Sequence, residues 1–193
     1  LICMAGYVLF YIMIAFSQIY AKSAPTVSEA GYAMGLGFSP QIFTALLMCS
    51  AISLAITIAI SGKYINIVGR RIWLIWTTFG VAIFGLALPY FLDNGTTTSL
   101  FWFLMIGMGL IGMGYGPLAS FLPELFPTHA RYSGASLTYN ISGLFGASVA
   151  AIITLPLNAN YGLKGVGIYL TLNAVLSLIG LWFITETKDK HLA

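Results

Sequence analysis

Long runs of apolar residues, separated by short polar connectors, form the main pattern along this chain of 193 residues. A helix needs roughly 20 apolar residues to cross the hydrocarbon core of a bilayer. Six runs reach about this length, and none of them contains a charged residue. The pattern therefore predicts an all-α, polytopic membrane protein, a single bundle with transmembrane helices at about 1–21, 40–61, 72–92, 99–122, 132–157 and 166–185.

The connectors carry the residues that start and stop such helices. Ser39 and Pro40 predict a helix start, with Ser39 as the N-cap and Pro40 in the first turn. Pro123 and Pro127 bracket the connector after the fourth run, so we expect no continuous helix through it. The other connectors are predicted at 22–39, 62–71, 93–98 and 158–165.

Small residues recur at a spacing of four near that proline-flanked connector. Gly112 and Gly116 form one pair, and Ser142 and Gly146 form another. Such pairs let two helices approach closely inside a membrane, where packing replaces the hydrophobic effect as the main attraction between helices. We therefore predict close helix contacts on both sides of the connector.

The composition supports a membrane protein and excludes several other classes. Hydrophobic residues make up 59% and charged residues 7% of the chain, whereas soluble domains carry about 25% charged residues. The net charge of +3 is spread over short connectors, which does not indicate nucleic-acid binding. Cys3 and Cys49 lie within apolar runs, and we interpret both as buried small hydrophobes. The runs hold no paired acids, histidine cluster or activated nucleophile, so we predict neither an enzyme nor a metal or cofactor site.

The basic residues fall mainly on one side of a six-helix weave. That side carries Lys63, Arg70, Arg71, Arg131, Lys188 and Lys190, and the other side carries Lys22 and Lys164. Because short cytoplasmic connectors are enriched in Lys and Arg, the first group is predicted to be cytoplasmic, together with both ends of the chain. The chain begins with Leu1 inside an apolar run, so we expect it to be a piece of a longer protein.

Two connectors resemble signatures of one transporter family. The first reads Gly62-x-x-x-Asn66-x-x-Gly69-Arg70-Arg71 and resembles the G-x-x-x-D-x-x-G-R-R/K motif of the major facilitator superfamily, with Asn66 in place of the acid. The second reads Pro123-Glu124-Leu125-Phe126-Pro127-x-x-x-Arg131-x-x-Gly134 and resembles a connector of that superfamily's sugar porters and metabolite:proton symporters. The stretch 126–146 is most similar to the metabolite:proton symporters, which handle shikimate, proline and betaine, oxoglutarate and similar metabolites.

This resemblance implies the carboxy-terminal six helices of a twelve-helix transporter, built as two inverted three-helix repeats. We expect a secondary active transporter of the bacterial cytoplasmic membrane that couples a small organic metabolite to protons by alternating access. The partners would be that metabolite, protons, the lipid bilayer and an amino-terminal six-helix half. A passive facilitator is the alternative. The runs contain no intramembrane acid, so a group that carries the proton would have to lie outside this piece, and nothing within the piece excludes uniport.

The resemblance also implies a cytoplasmic gate. Its candidate residues are Glu124, Arg131, Arg70, Arg71, Asn66 and Glu186. The alternative is that such charges only set topology and are solvated by lipid headgroups. We predict that Glu124 pairs with Arg70 or Arg71, and that Arg131 pairs with Glu186.

Five polar residues inside the runs are candidates for a substrate cavity. Tyr7, Tyr11 and Gln18 fall on one face of the first predicted helix, which lines the central cavity in the family. Tyr139 and Asn140 lie in the fifth run, two to three turns from its start. Interfacial anchoring and helix packing are the alternatives for the tyrosines and Gln18, and a bond between helices is an equally good explanation of Asn140.

Overall fold

The computed structural model describes residues 2–183, apart from the side chains of Asn66 and Ser120. Within that range the chain is helical, with one isolated bridge between Val27 and Ala33 as its only extended pairing. Five helical stretches are long and apolar enough to cross a membrane, judged by length and composition. The fifth, Thr128–Trp182, has 55 residues, about 80 Å of helix, far more than a bilayer of roughly 30 Å requires.

This last stretch reverses direction at Gly162, the one non-helical residue within Val149–Trp182, with φ of 66°. The contacts on either side show the reversal. Ser177 accepts a hydrogen bond from the backbone N–H of Ala5 (3.0 Å), and Gly146 packs against Tyr7. Because positions before and after Gly162 both reach the start of the first helix, the two halves must run in opposite directions. Residues 2–183 therefore contain six helices that are long and apolar enough to cross a membrane.

We number these helices in chain order. The first is α1 (Met4–Lys22), which contains one widened π turn at Ile12–Phe16. It is followed by α2 (Pro40–Val68), α3 (Arg70–Asp93) and α4 (Thr97–Glu124). The helix α5 (131–161) comprises Arg131–Gly143, a π turn at Leu144–Ser148 and the stretch before Gly162, and α6 (163–182) completes the bundle.

Two helix boundaries differ from the expected connectors. The segment 62–68 is helical and belongs to α2, so only Gly69 separates α2 from α3. Likewise, the expected connector at 158–165 is reduced to a reversal at Gly162. In both cases hydropathy marks where the apolar region ends, whereas the helix continues into polar surroundings until a glycine with positive φ allows the chain to turn. The start of α2 is as predicted, because Ser39 accepts a hydrogen bond from the backbone N–H of Ile42 (3.4 Å).

Close contacts at small residues join the helices, as the glycine spacing predicted. A Cβ atom on Gly112 would clash with Thr57 of α2 and would lie 2.6 Å from the carbonyl oxygen of Leu54. On the same face, Ser53 donates a hydrogen bond to the carbonyl oxygen of Met105 (2.9 Å). Helix α2 packs mainly through this seam with α4 and is otherwise exposed, which is why Cys49 is exposed rather than buried as expected.

The connector between α1 and α2 folds over the reversal between α5 and α6. Ser28 donates a hydrogen bond to the carbonyl oxygen of Ala159 (2.7 Å), and Asn158 donates one to that of Ala33 (3.1 Å). Tyr32 lies against Gly162, where a Cβ atom would be 2.6 Å from its ring. These contacts fix the α5–α6 turn at one end of the bundle. The connectors that carry Arg70, Arg71 and Arg131 lie at the opposite end.

Candidate functional site

One end of the bundle collects those predicted gate residues whose side chains the structure describes, namely Arg70, Arg71, Glu124 and Arg131. We call it the basic end, and its described basic residues are Lys63, Arg70, Arg71 and Arg131. The chain turns sharply at Gly69, whose φ of 101° is accessible to glycine and strained for other residues. As a result α3 begins directly at Arg70, close to the last turn of the antiparallel α4. The indole N–H of Trp73 reinforces this pairing by donating to the carbonyl oxygen of Met113 in α4 (3.0 Å).

Arg70 and Glu124 form an ion pair that joins the start of α3 to the end of α4. The predicted contact between Glu124 and one of the two arginines is thus present, and Arg70 is the partner. The side chains are only 20% and 15% exposed, respectively. Water and salt therefore screen this pair less than an exposed surface pair. In this conformation the ion pair holds the start of α3 against the end of α4.

Arg71 contacts a different helix from its neighbour. Its Nε and Nη2 atoms donate hydrogen bonds to the carbonyl oxygens of Leu181 and Trp182, at 3.0 and 2.8 Å. The last carbonyls of a helix have no partner within that helix and carry a partial negative charge, so an arginine there is favourable. Arg71 thereby joins α3 to the end of α6. No pattern in the sequence predicts this contact.

The turn between α4 and α5 depends on a ring packed over a glycine. Helix α4 ends at Glu124, a short 3₁₀ turn covers Thr128–Ala130, and α5 begins at Arg131. The ring of Phe126 folds back onto Gly134, where a Cβ atom would lie 2.7 Å from ring carbons. The spacing between Phe126 and Gly134 in the connector motif therefore has a steric reason, and it fixes Glu124 and Arg131 at the same end of the bundle.

A cavity of about 670 Å³ opens beside this turn. It is lined by Pro123, Thr128, Arg131, Tyr132, Ala135, Ser136, Tyr139 and Asn140. Of the predicted site residues, the structure brings together Arg131, Tyr139 and Asn140. Sequence reasoning missed Tyr132 and Ser136, although Tyr132 lies four residues before Ser136, and Ser136 lies three and four before Tyr139 and Asn140, a spacing that places all four on one stretch of helix surface.

The polar side chains of this cavity differ in whether their donors have a hydrogen-bond acceptor. Asn140 donates from its amide nitrogen to the carbonyl oxygen of Ser136 (2.8 Å), one turn earlier in the same helix. The Nε atom of Arg131 is buried and has no hydrogen-bond acceptor among residues 2–183. Because buried donors in proteins are nearly always paired, Arg131 is suited to an acidic partner or a solute carboxylate.

The predicted stripe on α1 does not line this cavity. Tyr7 packs beside Gly146 and, together with Tyr139, flanks a small apolar cluster at the basic end. Tyr11 packs against the larger core cluster, and Gln18 is exposed near the other end of the helix. Tyr7 is thus adjacent to a cavity residue, whereas a shared cavity that includes Tyr11 and Gln18 stays a prediction. Glu186 and the side chain of Asn66, both predicted for the gate, lie outside the described residues.

The lining of the cavity offers several hydrogen-bonding side chains. An arginine, tyrosine hydroxyls, a serine hydroxyl and an amide surround an open cavity next to an ion pair that joins two helices. Among the described residues, no group of three His, Cys, Asp or Glu side chains could hold a metal ion. The arrangement can therefore accommodate a small polar molecule at the end of a membrane-spanning bundle.

Comparison with known proteins assigns this chain to a family. Residues 32–193 match the model described as "Sugar (and other) transporter". The chain therefore belongs to this family of the major facilitator superfamily, and it is part of an integral membrane protein with the fold of a half transporter. No solved structure matches the chain.

Three named relatives are each longer than this chain. It is 89% identical over 193 residues to a "Putative metabolite transport protein" of Haemophilus influenzae, covering all of this chain and 43% of that relative. It is 38% identical over 192 residues to the "Inner membrane metabolite transport protein YhjE" of Escherichia coli, covering 99% and 42%. Over 126 residues it is 30% identical to a "Proline/betaine transporter" of Salmonella typhimurium, covering 64% and 25%. The chain thus spans less than half the length of these relatives.

Proposed function

We propose that this chain is the carboxy-terminal half of a secondary transporter that moves a small organic metabolite across the bacterial inner membrane by alternating access. The observation that carries the proposal is the open cavity beside the Arg70–Glu124 pair. Alternating access proceeds by rocking or gating of helices around a solute site, and in this proposal the Arg70–Glu124 pair is the contact that breaks. The family and the names of the relatives support the same class of activity.

In this proposal the basic end faces the cytoplasm, because basic connectors are retained on that side. The Arg70–Glu124 pair forms when the cytoplasmic side is closed and breaks when it opens. Arg131 completes the gate by pairing with Glu186. The cavity face of α5 and the Tyr7, Tyr11 and Gln18 face of α1 then lie toward the amino-terminal half.

The candidate solute carries a carboxylate together with a positively charged or ammonium group. Arg131 can bind the carboxylate through charge-assisted hydrogen bonds, and the faces of Tyr132 and Tyr139 can accept a cation. Proline and betaine have this chemistry, and related transporters are named for them. Purely anionic metabolites are the second candidate, since Arg131 alone would favour them.

Uptake by the full-length protein in proteoliposomes tests the proposal. With an imposed pH gradient, acid outside, we expect radiolabelled betaine or proline to accumulate above its external concentration and to leak out when a protonophore is added. Protein-free vesicles and a non-transported sugar alcohol are the controls. Equilibration without accumulation would support the facilitator alternative instead. The absence of saturable uptake for zwitterionic and anionic metabolites alike would contradict the proposed function.

A further inference from the structure

Helices α3 and α6 touch most closely at one pair of glycines. A Cβ atom on Gly167 would clash with the carbonyl oxygen of Gly85, and one on Gly85 would lie 2.9 Å from the carbonyl oxygen of Gly167. Beside this contact, Thr171 donates a hydrogen bond to the carbonyl oxygen of Ala82 (3.1 Å). The backbones therefore meet directly at this point, and larger side chains separate the two helices on either side of it.

A groove of about 390 Å³ lies between α3 and α6 on the side toward the basic end. We call it the tryptophan groove, and it is lined by Ile75, Trp76, Phe79, Leu178 and Trp182. Its lining residues span roughly 6 Å along each helix, at 75–79 of α3 and 178–182 of α6. Arg71 lies one helical turn before Ile75, and the glycine contact at Gly85 lies six residues beyond Phe79.

The tryptophan groove is open to the outside of the bundle. Trp76 is 68% exposed and Trp182 is 74% exposed, and Phe79 meets Trp76 edge to face at 6.4 Å between ring centroids. Tryptophan is enriched where membrane proteins meet the headgroup region, because its ring is apolar and its N–H is polar. In a membrane, this surface contacts hydrocarbon chains unless another protein covers it.

Arg71 places a positive charge at the mouth of the tryptophan groove. Its hydrogen bonds to the carbonyl oxygens of Leu181 and Trp182 hold the guanidinium at the end of α6, beside Trp182. Basic residues at this depth attract anionic lipid headgroups. An apolar groove with an arginine one helical turn away is complementary to one kind of molecule, with a hydrocarbon chain below a phosphate, and the groove takes the part of that chain next to the headgroup.

The geometry points to the tryptophan groove as a binding site for an anionic phospholipid. One acyl chain lies between α3 and α6 against Trp76 and Phe79, and the headgroup phosphate lies near Arg71. The site is separate from the solute cavity, whose lining comes from α5, the end of α4 and the turn between them. It does not depend on the transported metabolite.

Photolabelling of the full-length protein tests this site. The protein is reconstituted in vesicles of phosphatidylcholine and phosphatidylglycerol at 4:1, with a trace of phosphatidylglycerol that carries a diazirine on one acyl chain. After irradiation, labelled peptides are quantified by mass spectrometry. We expect labelling of groove peptides from α3 and α6 to exceed that of α2 at least threefold, although α2 exposes more apolar surface. Arg71→Gln should lower groove labelling more for this probe than for a diazirine phosphatidylcholine.

Matched variants separate a specific site from general contact with lipid. Trp76→Ala should lower groove labelling at least threefold, whereas Trp102→Ala, which removes an exposed tryptophan of α4, should leave it unchanged. Leu178→Trp fills the groove and should have the same effect as Trp76→Ala, which covers the case in which Trp76→Ala folds poorly. The proposal would be overturned if the labelling of each helix simply followed its exposed apolar area. It would also be overturned if neither Trp76→Ala nor Leu178→Trp changed the labelling of the groove. Disulfide-linked dimers formed efficiently by Trp182→Cys would overturn it as well, because a second copy would then occupy the groove.

Discussion

Replacing Glu124 with glutamine is expected to slow uptake by the full-length protein about tenfold, while the equilibrium affinity for the solute changes only a few-fold. The side chains of Arg70 and Glu124 are 20% and 15% exposed. Breaking an exposed ion pair costs about 0 to 1 kcal/mol, and breaking a fully buried pair costs about 3 to 5 kcal/mol. Because the Arg70–Glu124 pair is partly buried, we expect the cost of breaking it to lie between these values. A loss of about 2 kcal/mol changes the ratio of two conformations roughly thirtyfold.

The controls for Glu124→Gln distinguish a specific pair from a general effect of charge. Lys63→Gln removes an exposed charge from the same end of the bundle and should leave uptake within twofold of the wild type. Exchanging the partners, as Arg70→Glu with Glu124→Arg, should recover part of the uptake that either single substitution loses. Initial uptake rates and equilibrium binding of the radiolabelled solute are the two measurements. If Glu124→Gln weakened equilibrium binding of the solute but left the initial uptake rate at saturating solute unchanged, Glu124 would belong to the solute site and not to a gate.

Adding one methyl group at Gly112 is expected to destabilise the bundle by about 2 kcal/mol, within the usual range for overpacking. A Cβ atom there meets Thr57 and lies 2.6 Å from the carbonyl oxygen of Leu54. The backbone of α2 cannot yield by a side-chain rotation, so α2 has to move away from α4. The hydrogen bond from Ser53 to Met105 on the same face should weaken as a consequence.

Gly114 provides a matched control on the same helix. A Cβ atom at Gly114 has Thr77 as its nearest neighbour, at 3.9 Å, which is an ordinary contact. Gly114→Ala should therefore be neutral or stabilising by up to about 1 kcal/mol, the difference in helix propensity between the two residues. Thermal unfolding of the full-length protein in detergent, followed by the loss of monodisperse protein, should show a lower midpoint for Gly112→Ala only. Equal midpoints for both variants would contradict the close contact between α2 and α4.

The sequence was sufficient to predict most of the helical architecture because membrane-spanning runs carry a strong and simple signal. Helix ends were harder to locate. Residues 62–68 are polar enough to suggest a connector, yet they continue α2, because a helix can leave the apolar region and still satisfy its own backbone hydrogen bonds. The reversal at Gly162 could not be distinguished from the neighbouring polar residues, since its positive φ is a property of the folded backbone.

The site was predictable only in part. The pairing of Glu124 with one arginine followed from the resemblance, but the choice of Arg70 depends on the turn at Gly69, which sends Arg70 and Arg71 to different helices. Tyr139 and Asn140 were recognised as polar residues in an apolar run. Tyr132 and Ser136 were missed because they lie near the helix start, where polar residues are common. Tyr11 packs against the core cluster and Gln18 is exposed, so the shared cavity expected for them stays a prediction.

The central claim is that the cavity on α5 is a solute pathway whose access is controlled by the Arg70–Glu124 pair. Thiol accessibility tests it directly. Asn140→Cys in an otherwise cysteine-free full-length protein is treated with a membrane-impermeant maleimide in inside-out vesicles, with Lys63→Cys as the exposed reference. In the proposal the amino-terminal half covers this open cavity while the pair is formed, so we expect slow labelling at Asn140→Cys that becomes at least fivefold faster when Glu124→Gln is added, while labelling at Lys63→Cys is unchanged. A labelling rate at Asn140→Cys that does not respond to Glu124→Gln would contradict the account.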